Sequence, residues 1–237
     1  MTKALYLDDS YLKEIETEVV KVDGKFVILK ETIFYPESGG QPTDTGILIK
    51  DNEEYKVVFA KKIGSDISHE VDKEGLQAGD KVKIVLDWDR RYNLMRGHTA
   101  AHVVSGIFNK ATGALITGNQ ITEEKIRIDF NLENFDREKI DEYFNNCNEL
   151  IKKDLKILIS YMPMEEAKKD SDLFKLASVL PPSVKELRII EIEGFDRQAD
   201  GGTHVKSLSE VGELEFLKAE NKGKNNRRIY FKLKKVD

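Results

Sequence analysis

This sequence of 237 residues lacks the features that secreted and membrane proteins depend on. It has a single cysteine, Cys147, which excludes an internal disulfide and favours a reducing compartment. No stretch approaches the roughly 20 apolar residues of a membrane-spanning helix. The N-terminal segment carries charges every few residues and has no apolar core of signal-peptide length. We therefore expect a cytoplasmic protein with no membrane-embedded part.

Proline is scarce too, with five residues, and sixteen glycines are too few for a low-complexity chain. The composition is 40% hydrophobic and 34% charged, which suffices for one large domain or two smaller ones with hydrophobic cores. The formal net charge of -5 shows no overall excess of positive charge, so the bulk composition does not indicate a nucleic-acid-binding protein.

Positive charge is nevertheless concentrated at the C-terminal end. Eight basic residues stand there against Glu220 and Asp237: Lys218, Lys222, Lys224, Arg227, Arg228, Lys232, Lys234 and Lys235. Such a patch can contact the phosphates of a nucleic acid even in an acidic chain. A solvated hairpin explains the same charges and is favoured on charge alone.

The first ninety or so residues have the pattern of a small β-barrel. Short apolar runs at residues 26–29, 55–59 and 82–86 are separated by turn signals such as Asp23-Gly24 and Ala78-Gly79-Asp80. Short strands at regular spacing with turns between them are typical of barrels.

The remainder has a mixed pattern, so the predicted fold class is α+β. Asp87 is a candidate N-cap for a helix that runs to about Lys110 and ends near Gly113. The other predicted elements are a strand at 125–130, a helix at 136–153, strands at 157–162 and 187–192, and a hairpin of 214–219 with 228–233. Cys147 lies on the apolar face of the second helix, which predicts a buried residue and not a nucleophile. We expect a β-barrel domain at 1–88 and an α+β domain with an antiparallel sheet and a metal-bearing helix at 89–237.

Three of the four histidines lie in two short motifs. His98 and His102 are four residues apart on the first predicted helix, so both imidazoles project from one face. Their Cβ atoms are then about 5–6 Å apart, a separation that suits two ligands of one zinc ion.

The third histidine, His204, follows Asp200 by four residues in a segment with two glycines, Gly201-Gly202. A tight turn there can direct Asp200 and His204 to one point, and a catalytic zinc site normally has three protein ligands. The fourth histidine, His69, is isolated and is interpreted as structural. Spacing alone leaves a metal site and a structural histidine pair equally open.

These motifs resemble those of a known family. His98-Thr99-Ala100-Ala101-His102 and Asp200-Gly201-Gly202-Thr203-His204 are similar to the paired zinc motifs of the alanyl-tRNA synthetase editing domain and of its free-standing relatives, the AlaX proteins. Residues 31–46 are similar to the glycine-rich segment in the N-terminal barrel of the synthetase and of the longer AlaX forms. Three motifs in this order make the resemblance specific, and 237 residues leave no room for aminoacylation and tRNA-recognition domains.

The resemblance implies an aminoacyl-tRNA deacylase that binds one zinc ion through His98, His102 and His204 and acts on the aminoacyl 3′ end of tRNA. The family usually has cysteine where this sequence has Asp200. Asp200 is either a fourth ligand or a hydrogen-bond partner of a ligand histidine. The expected substrate is Ser-tRNA(Ala), with Gly-tRNA(Ala) as a second. Whether zinc activates water or orients the substrate stays open, as does the oligomeric state.

The candidate residues beyond the metal ligands fall into two groups. The catalytic candidates are Gln41 and Thr99, and the substrate-binding candidates are Gly39, Gly40, Thr117 and Asn119. Glycine permits close backbone approach, and hydroxyl and amide groups can select a substrate that bears a hydroxyl. Without the resemblance, Gly39-Gly40 would be an ordinary hairpin turn, and a turn capped by Asn119 would explain the last pair nearly as well.

Two alternative functions remain at this stage. The threonyl-tRNA synthetase editing domain carries related histidine motifs and removes serine from tRNA(Thr), although the glycine-rich segment argues against it. A non-catalytic, zinc-stabilised tRNA-binding module is the other, and a closed four-ligand site would favour it. Loss of metal binding altogether is conceivable because of Asp200.

Overall fold

The structure, a computed structural model, describes residues 1–133, 136–176 and 184–234. The chain divides into two compact units, Met1–Leu94 and Met95–Asp237. Helix α1 (Trp88–Thr112) begins in the first unit and continues into the second. No helix within the described ranges is long and apolar enough to cross a membrane.

The first unit is built on a closed six-stranded barrel, as the sequence predicts. Its strands up to α1 are β1 (Lys3–Ala4), β2 (Glu14–Asp23), β3 (Phe26–Leu29), β4 (Glu31–Thr32), β5 (Gly46–Lys50), β6 (Glu53–Ile63), β7 (Asp66–Val71) and β8 (Lys81–Leu86). The barrel order is β2-β3-β7-β6-β5-β8, with every neighbouring pair antiparallel, while β1 and β4 form a separate parallel pair.

Alternation of apolar side chains closes this barrel around its core. Along β8, for example, Val82, Ile84 and Leu86 are buried while the intervening residues are more exposed. This period of two places one face of each strand inward, and closure removes the free edges that would invite other strands. The core therefore lies inside the barrel.

In its described residues, the second unit is an α+β arrangement with two antiparallel sheets. Its remaining elements are β9 (Ile116–Ile121), β10 (Ile126–Phe130), α2 (Arg137–Ile151), β11 (Ile157–Pro163), α3 (Met164–Ala167), β12 (Glu186–Ile192), β13 (Asp196–Ala199), β14 (Leu214–Asn221) and β15 (Arg227–Leu233). Among the described residues, 3-10 turns occur at Leu5–Leu7 in the first unit and at Ser171–Leu173 and Leu208–Val211 in the second. One sheet has the order β14-β15-β10-β9 and the other β11-β12-β13. The predicted fold class is confirmed.

Helix α1 ends, and helix α2 begins, close to where the sequence predicts. Gly113 has a φ of 73° just after α1, and its N–H donates to the Asn109 carbonyl at 2.7 Å. This left-handed conformation after the last turn is one that glycine adopts easily. Asp136 caps α2 by accepting a hydrogen bond from the Glu138 N–H at 3.2 Å. Cys147 on α2 is fully buried, and burial raises the pKa of its thiol, so the prediction of a buried core residue is confirmed.

Two strands of the second unit were not predicted. β9 contains Thr117, Gly118 and Asn119 and has no clear alternation, so the turn considered for Asn119 is wrong. Gly118 leaves little spare room beside the partner strand β10, because a Cβ there would lie 3.3 Å from Asp129 Oδ2. β13 is short and polar, and it exists through its pairing with β12.

Candidate metal centre

Helix α1 supplies two imidazoles from adjacent turns. The ring centroids of His98 and His102 are 5.3 Å apart, and both residues are buried. Gly97 lets this part of the helix lie close to the four-stranded sheet, because a Cβ there would lie 3.1 Å from the Ile121 side chain and 3.6 Å from that of Ile126. The helix therefore presents the pair from a fixed position.

The turn after β13 supplies the other two groups. The Gly202 N–H donates to Asp200 Oδ1 at 2.6 Å, which folds the carboxylate back over its own backbone. A Cβ at Gly202 would lie 2.2 Å from His98 Cε1 and 2.3 Å from its Nδ1. Only glycine leaves room for the ring of His98 at this point.

Together the two elements form one cluster. The His204 ring lies 4.4 Å from that of His98 and 4.7 Å from that of His102, between centroids. Asp200 Oδ1 is 3.1 Å from His204 Nε2, and Oδ2 is 3.4 Å from His98 Nε2 and 3.9 Å from His102 Nε2. One potential ligand atom from each of the four lies within 4.8 Å of the other three. All four metal candidates of the sequence thus meet at one point.

The cluster fits a divalent metal ion by its donor set and by one unsatisfied atom. Tetrahedral coordination at roughly 2.0–2.1 Å separates ligand atoms by about 3.4 Å, close to the shorter distances above. His102 Nδ1 is buried and has no hydrogen-bond partner among the described residues. Three imidazoles and a carboxylate suit zinc and other borderline divalent metals.

The protonation states favour metal binding. Burial lowers the pKa of His102 to about 4, although the nearby Asp200 carboxylate opposes this. Burial and the neighbouring His98 hold the pKa of His204 well below its usual range. Burial alone would raise the pKa of Asp200, but His98 and His204 hold it well below its ordinary value. Neutral imidazoles and an ionised carboxylate are the forms that coordinate metals.

Thr99 contacts a member of the cluster directly. Its Oγ1 lies 3.1 Å from His204 Nδ1 and accepts a hydrogen bond from the Val205 N–H at 3.3 Å. When His204 Nδ1 carries the ring proton and donates it to Thr99, Nε2 is free to bind a metal. The sequence did not reveal this contact, because 105 positions separate the two side chains.

In the first unit, the glycine-rich segment contains a tight turn. Gly39 and Gly40 have φ values of 58° and 84°, in the left-handed region that favours glycine. Ser38 and Gln41 exchange backbone hydrogen bonds across them, with N–O distances of 3.2 and 2.9 Å. Gln41 is fully buried. This geometry matches the hairpin turn that the sequence also allows. A contact of Gly39, Gly40 or Gln41 with the substrate stays a prediction.

A buried ion pair fixes the end of this segment. The Arg91 guanidinium binds the Asp44 carboxylate through Nε at 3.0 and 2.9 Å and also through Nη2, and both residues are fully buried. Asp44 further accepts the Tyr35 N–H at 2.6 Å, and Arg91 donates to the Ser10 and Ile33 carbonyls. Because the partners are 47 positions apart, no local pattern predicted this pair.

The remaining candidates, Thr117 and Asn119, lie on β9. The register shifts beside Gly118, which pairs with Asp129, so that Ile116 pairs with Phe130 and Thr117 occupies a β-bulge. Thr117 is exposed and Asn119 is half-buried. Bulges redirect side chains and are common next to active sites, yet the role of these two residues stays a prediction.

The described basic residues near the C-terminus belong to the predicted hairpin or adjoin it, but most are paired with acidic or polar groups. Salt bridges join Lys218 and Lys222 to Glu220, Lys232 to Glu215, Lys234 to Glu213, and Arg228 to Asp129. Arg227 donates to Asn221 and to backbone carbonyls. Lys235 and Asp237 lie outside the described residues. Paired cations are less available for phosphate contacts, so the phosphate-binding hypothesis gains nothing from the structure.

Comparison with known proteins gives matches over the whole chain. Residues 4–90 match the family described as tRNA synthetases class II (A), and residues 187–230 match the threonyl and alanyl tRNA synthetase second additional domain. The chain is 49% identical to the alanyl-tRNA editing protein AlaX-M of Methanosarcina barkeri, over 98% of this chain and 99% of that protein. It is 46% identical to AlaX-M of Saccharolobus solfataricus, over 99% and 100% of the two chains. It is also 36% identical to the alanine–tRNA ligase of Pyrococcus abyssi, over 97% of this chain but 26% of the ligase.

Proposed function

This chain belongs to the AlaX-M family of alanyl-tRNA editing proteins, and we propose that it is a zinc-dependent hydrolase that deacylates mischarged tRNA(Ala). The observation that carries the proposal is the cluster of three buried histidines, His98, His102 and His204, with the half-buried Asp200. The reaction splits the ester between the amino acid and the 3′-terminal adenosine. Water adds across that bond to give a free amino acid and a tRNA with a free 3′ end.

The proposed substrate is Ser-tRNA(Ala), with Gly-tRNA(Ala) as the second. A site that hydrogen-bonds a substrate hydroxyl can reject an analogue without it by a large factor, so serine can be distinguished from alanine. The groups proposed to make such contacts are Gly39, Gly40, Gln41, Thr117 and Asn119. Gln41 and Thr117 offer an amide and a hydroxyl, and the glycines allow a close backbone approach.

In the second unit, His98, His102 and His204 would hold the metal, with Asp200 as fourth ligand or as a partner of the histidines. A bound zinc ion would supply a Lewis acid beside the ester. Because burial lowers the pKa of His102 and His204, these two imidazoles would bind the ion without first losing protons. Thr99, which we assigned to catalysis from the sequence, would act on the reaction through the ring of His204.

We further propose a division of labour along the chain. The domain at 89–237 would carry the metal and the hydrolytic chemistry, and the barrel at 1–88 would contribute the glycine-rich segment to substrate recognition. The partner of both would be the aminoacyl end of tRNA.

Deacylation of a panel of mischarged tRNAs, with and without a chelator, tests the proposal. We expect hydrolysis of Ser-tRNA(Ala) that the chelator abolishes and that added zinc restores, while Ala-tRNA(Ala) survives. Cleavage of Ser-tRNA(Thr) with survival of Ser-tRNA(Ala) would instead indicate the threonine-type editing activity. No hydrolysis by fully zinc-loaded protein would contradict the enzymatic function and favour a tRNA-binding module.

A further inference from the structure

Arg188 is a buried cation in a strand whose other buried residues are apolar. It lies on β12 between Leu187 and Ile189, and 7% of its surface is exposed. Burial of a guanidinium is costly unless its N–H groups are satisfied, so the groups it contacts reveal what it stabilises. In the sequence, Arg188 is the one basic residue of this strand, and the other charged residues are Glu186 and Glu191.

Its contacts converge on the turn of the metal centre. Arg188 Nη1 donates to the Asp200 carbonyl at 3.0 Å and to the Gly202 carbonyl at 2.9 Å. In return, the Asp200 N–H donates to the Arg188 carbonyl at 3.2 Å. One side chain therefore fixes the backbone on both sides of Gly201, while the side chain of Asp200 and the Gly202 N–H close the turn from within.

The position of this turn has little tolerance. Gly202 lies so close to His98 that an added Cβ would overlap its ring. Asp200 and His204 both belong to the same turn and must meet the two imidazoles of α1. A shift of the turn by a few tenths of an ångström would therefore move two of the four groups relative to the other two.

We propose that Arg188 is the positioning residue that holds the Asp200–His204 turn in the geometry required for metal binding. This inference rests on one part of the proposed function, namely that the cluster of His98, His102, Asp200 and His204 binds zinc. A planar guanidinium gives directional hydrogen bonds that an ammonium group does not reproduce. Removing a partner outside the ligand set usually weakens metal affinity by about 10–100-fold.

The test compares Arg188→Met and Arg188→Lys with Arg197→Met in full-length protein. Arg197 is the matched control, since it lies on the adjacent strand β13 and pairs with Glu191 and Asp170 at an exposed position. Zinc affinity is measured by competition with a chromophoric chelator. We expect at least about tenfold weaker binding for Arg188→Met, a smaller loss for Arg188→Lys, and the wild-type value for Arg197→Met.

Two further measurements separate positioning from general stability. The absorption spectrum of the cobalt-substituted proteins reports ligand geometry, and it should change in both Arg188 variants. Amide hydrogen exchange of the metal-free proteins should be faster at Gly202 in Arg188→Met than in Arg197→Met. A general loss of stability would instead accelerate exchange throughout the second unit.

Unchanged or tighter zinc binding in Arg188→Met would overturn the inference, as would unchanged exchange at Gly202. If Arg188→Met fails to fold, Arg188→Lys decides by the same criteria. A wild-type protein that binds no zinc would contradict the proposed function, and the exchange comparison would then decide separately whether Arg188 holds the turn.

Discussion

The two units each contain a carboxylate inside a cluster of polar groups, and the clusters differ in what completes them. In the barrel unit, Asp44 faces the Arg91 guanidinium and accepts the Tyr35 N–H. The negative charge is balanced by a protein cation. In the second unit, Asp200 faces three imidazoles, and burial lowers the pKa of two of them, His102 and His204. The charged partner of Asp44 is therefore an arginine, whereas the partners of Asp200 are histidines.

His69 in the barrel and His102 in the metal centre also differ in how their polar groups are satisfied. Burial lowers the pKa of both His69 and His102 to about 4. His69 Nδ1–H donates to the Val27 carbonyl at 3.1 Å, and its Nε2 lies 2.9 Å from the Thr32 hydroxyl. His102 Nδ1 has no partner among the described residues. The two histidines therefore share burial and a lowered pKa, and their hydrogen bonding is what distinguishes them.

We expect the largest difference in zinc content and activity when His102 and His69 are each replaced by glutamine. His102→Gln removes a proposed ligand and should abolish stoichiometric zinc. It should reduce kcat/KM for Ser-tRNA(Ala) by at least about 1,000-fold, equivalent to about 4 kcal/mol of transition-state stabilisation. His69→Gln should keep both zinc and activity. Zinc content and the deacylation rate are measured for both variants. Loss of zinc in His69→Gln alone would contradict the assignment of His102 as a ligand and of His69 as a structural residue.

The two carboxylates provide the second comparison. Asp44→Ala leaves the buried Arg91 without its counter-charge, so we expect a loss of about 3–5 kcal/mol in the free energy of unfolding with the zinc content unchanged. Asp200→Ala should retain stability in the metal-free protein but bind zinc more weakly. Urea unfolding and chelator competition measure the two quantities. Zinc stoichiometry and affinity unchanged in Asp200→Ala would exclude direct ligation.

The pH dependence of the free energy of unfolding should show that His69 stays neutral in the folded barrel. Its pKa falls from 6.5 to about 4 on folding, so between these values the unfolded chain binds a proton that the folded chain excludes. Stability is therefore complete above about pH 6.5 and is lost as pH falls through this window, by about 3 kcal/mol for this one group.

His69→Gln should reduce that loss by the same amount. Urea unfolding of metal-free wild type and variant at about pH 7 and about pH 4.5 measures it. His102 contributes equally to both proteins and cancels in the difference. An identical pH slope in the two proteins would show that His69 is not held neutral by the barrel.

The sequence predicted the parts of this comparison that depend on local spacing. Alternation indicated the barrel, and four-residue spacing indicated that His98 and His102 share a helix face. The resemblance then placed His204 and Asp200 with them. The groups that complete or support each cluster were not predictable, because Arg91 meets Asp44 across 47 positions, and the contacts of Arg188 follow from the pairing of β12 with the unpredicted β13.

The smallest and most local effect concerns the two neighbouring glycines of the metal turn. A Cβ at Gly202 would lie 2.2 Å from His98 Cε1, whereas a Cβ at Gly201 meets nothing within 4 Å. Gly202→Ala must therefore displace either the turn or a ligand ring, and we expect about 100-fold weaker zinc binding, equivalent to about 2.7 kcal/mol. Gly201→Ala adds the same methyl group one residue away and should bind zinc as the wild type does. Chelator competition on both variants measures the difference in zinc affinity. The stability of the barrel should be the same in the two variants. Equal zinc affinities of the two variants would mean that the metal cluster adapts to a displaced turn. The metal cluster and the Asp44–Arg91 pair of the barrel would then differ only in charge, and not in how rigidly their groups are held.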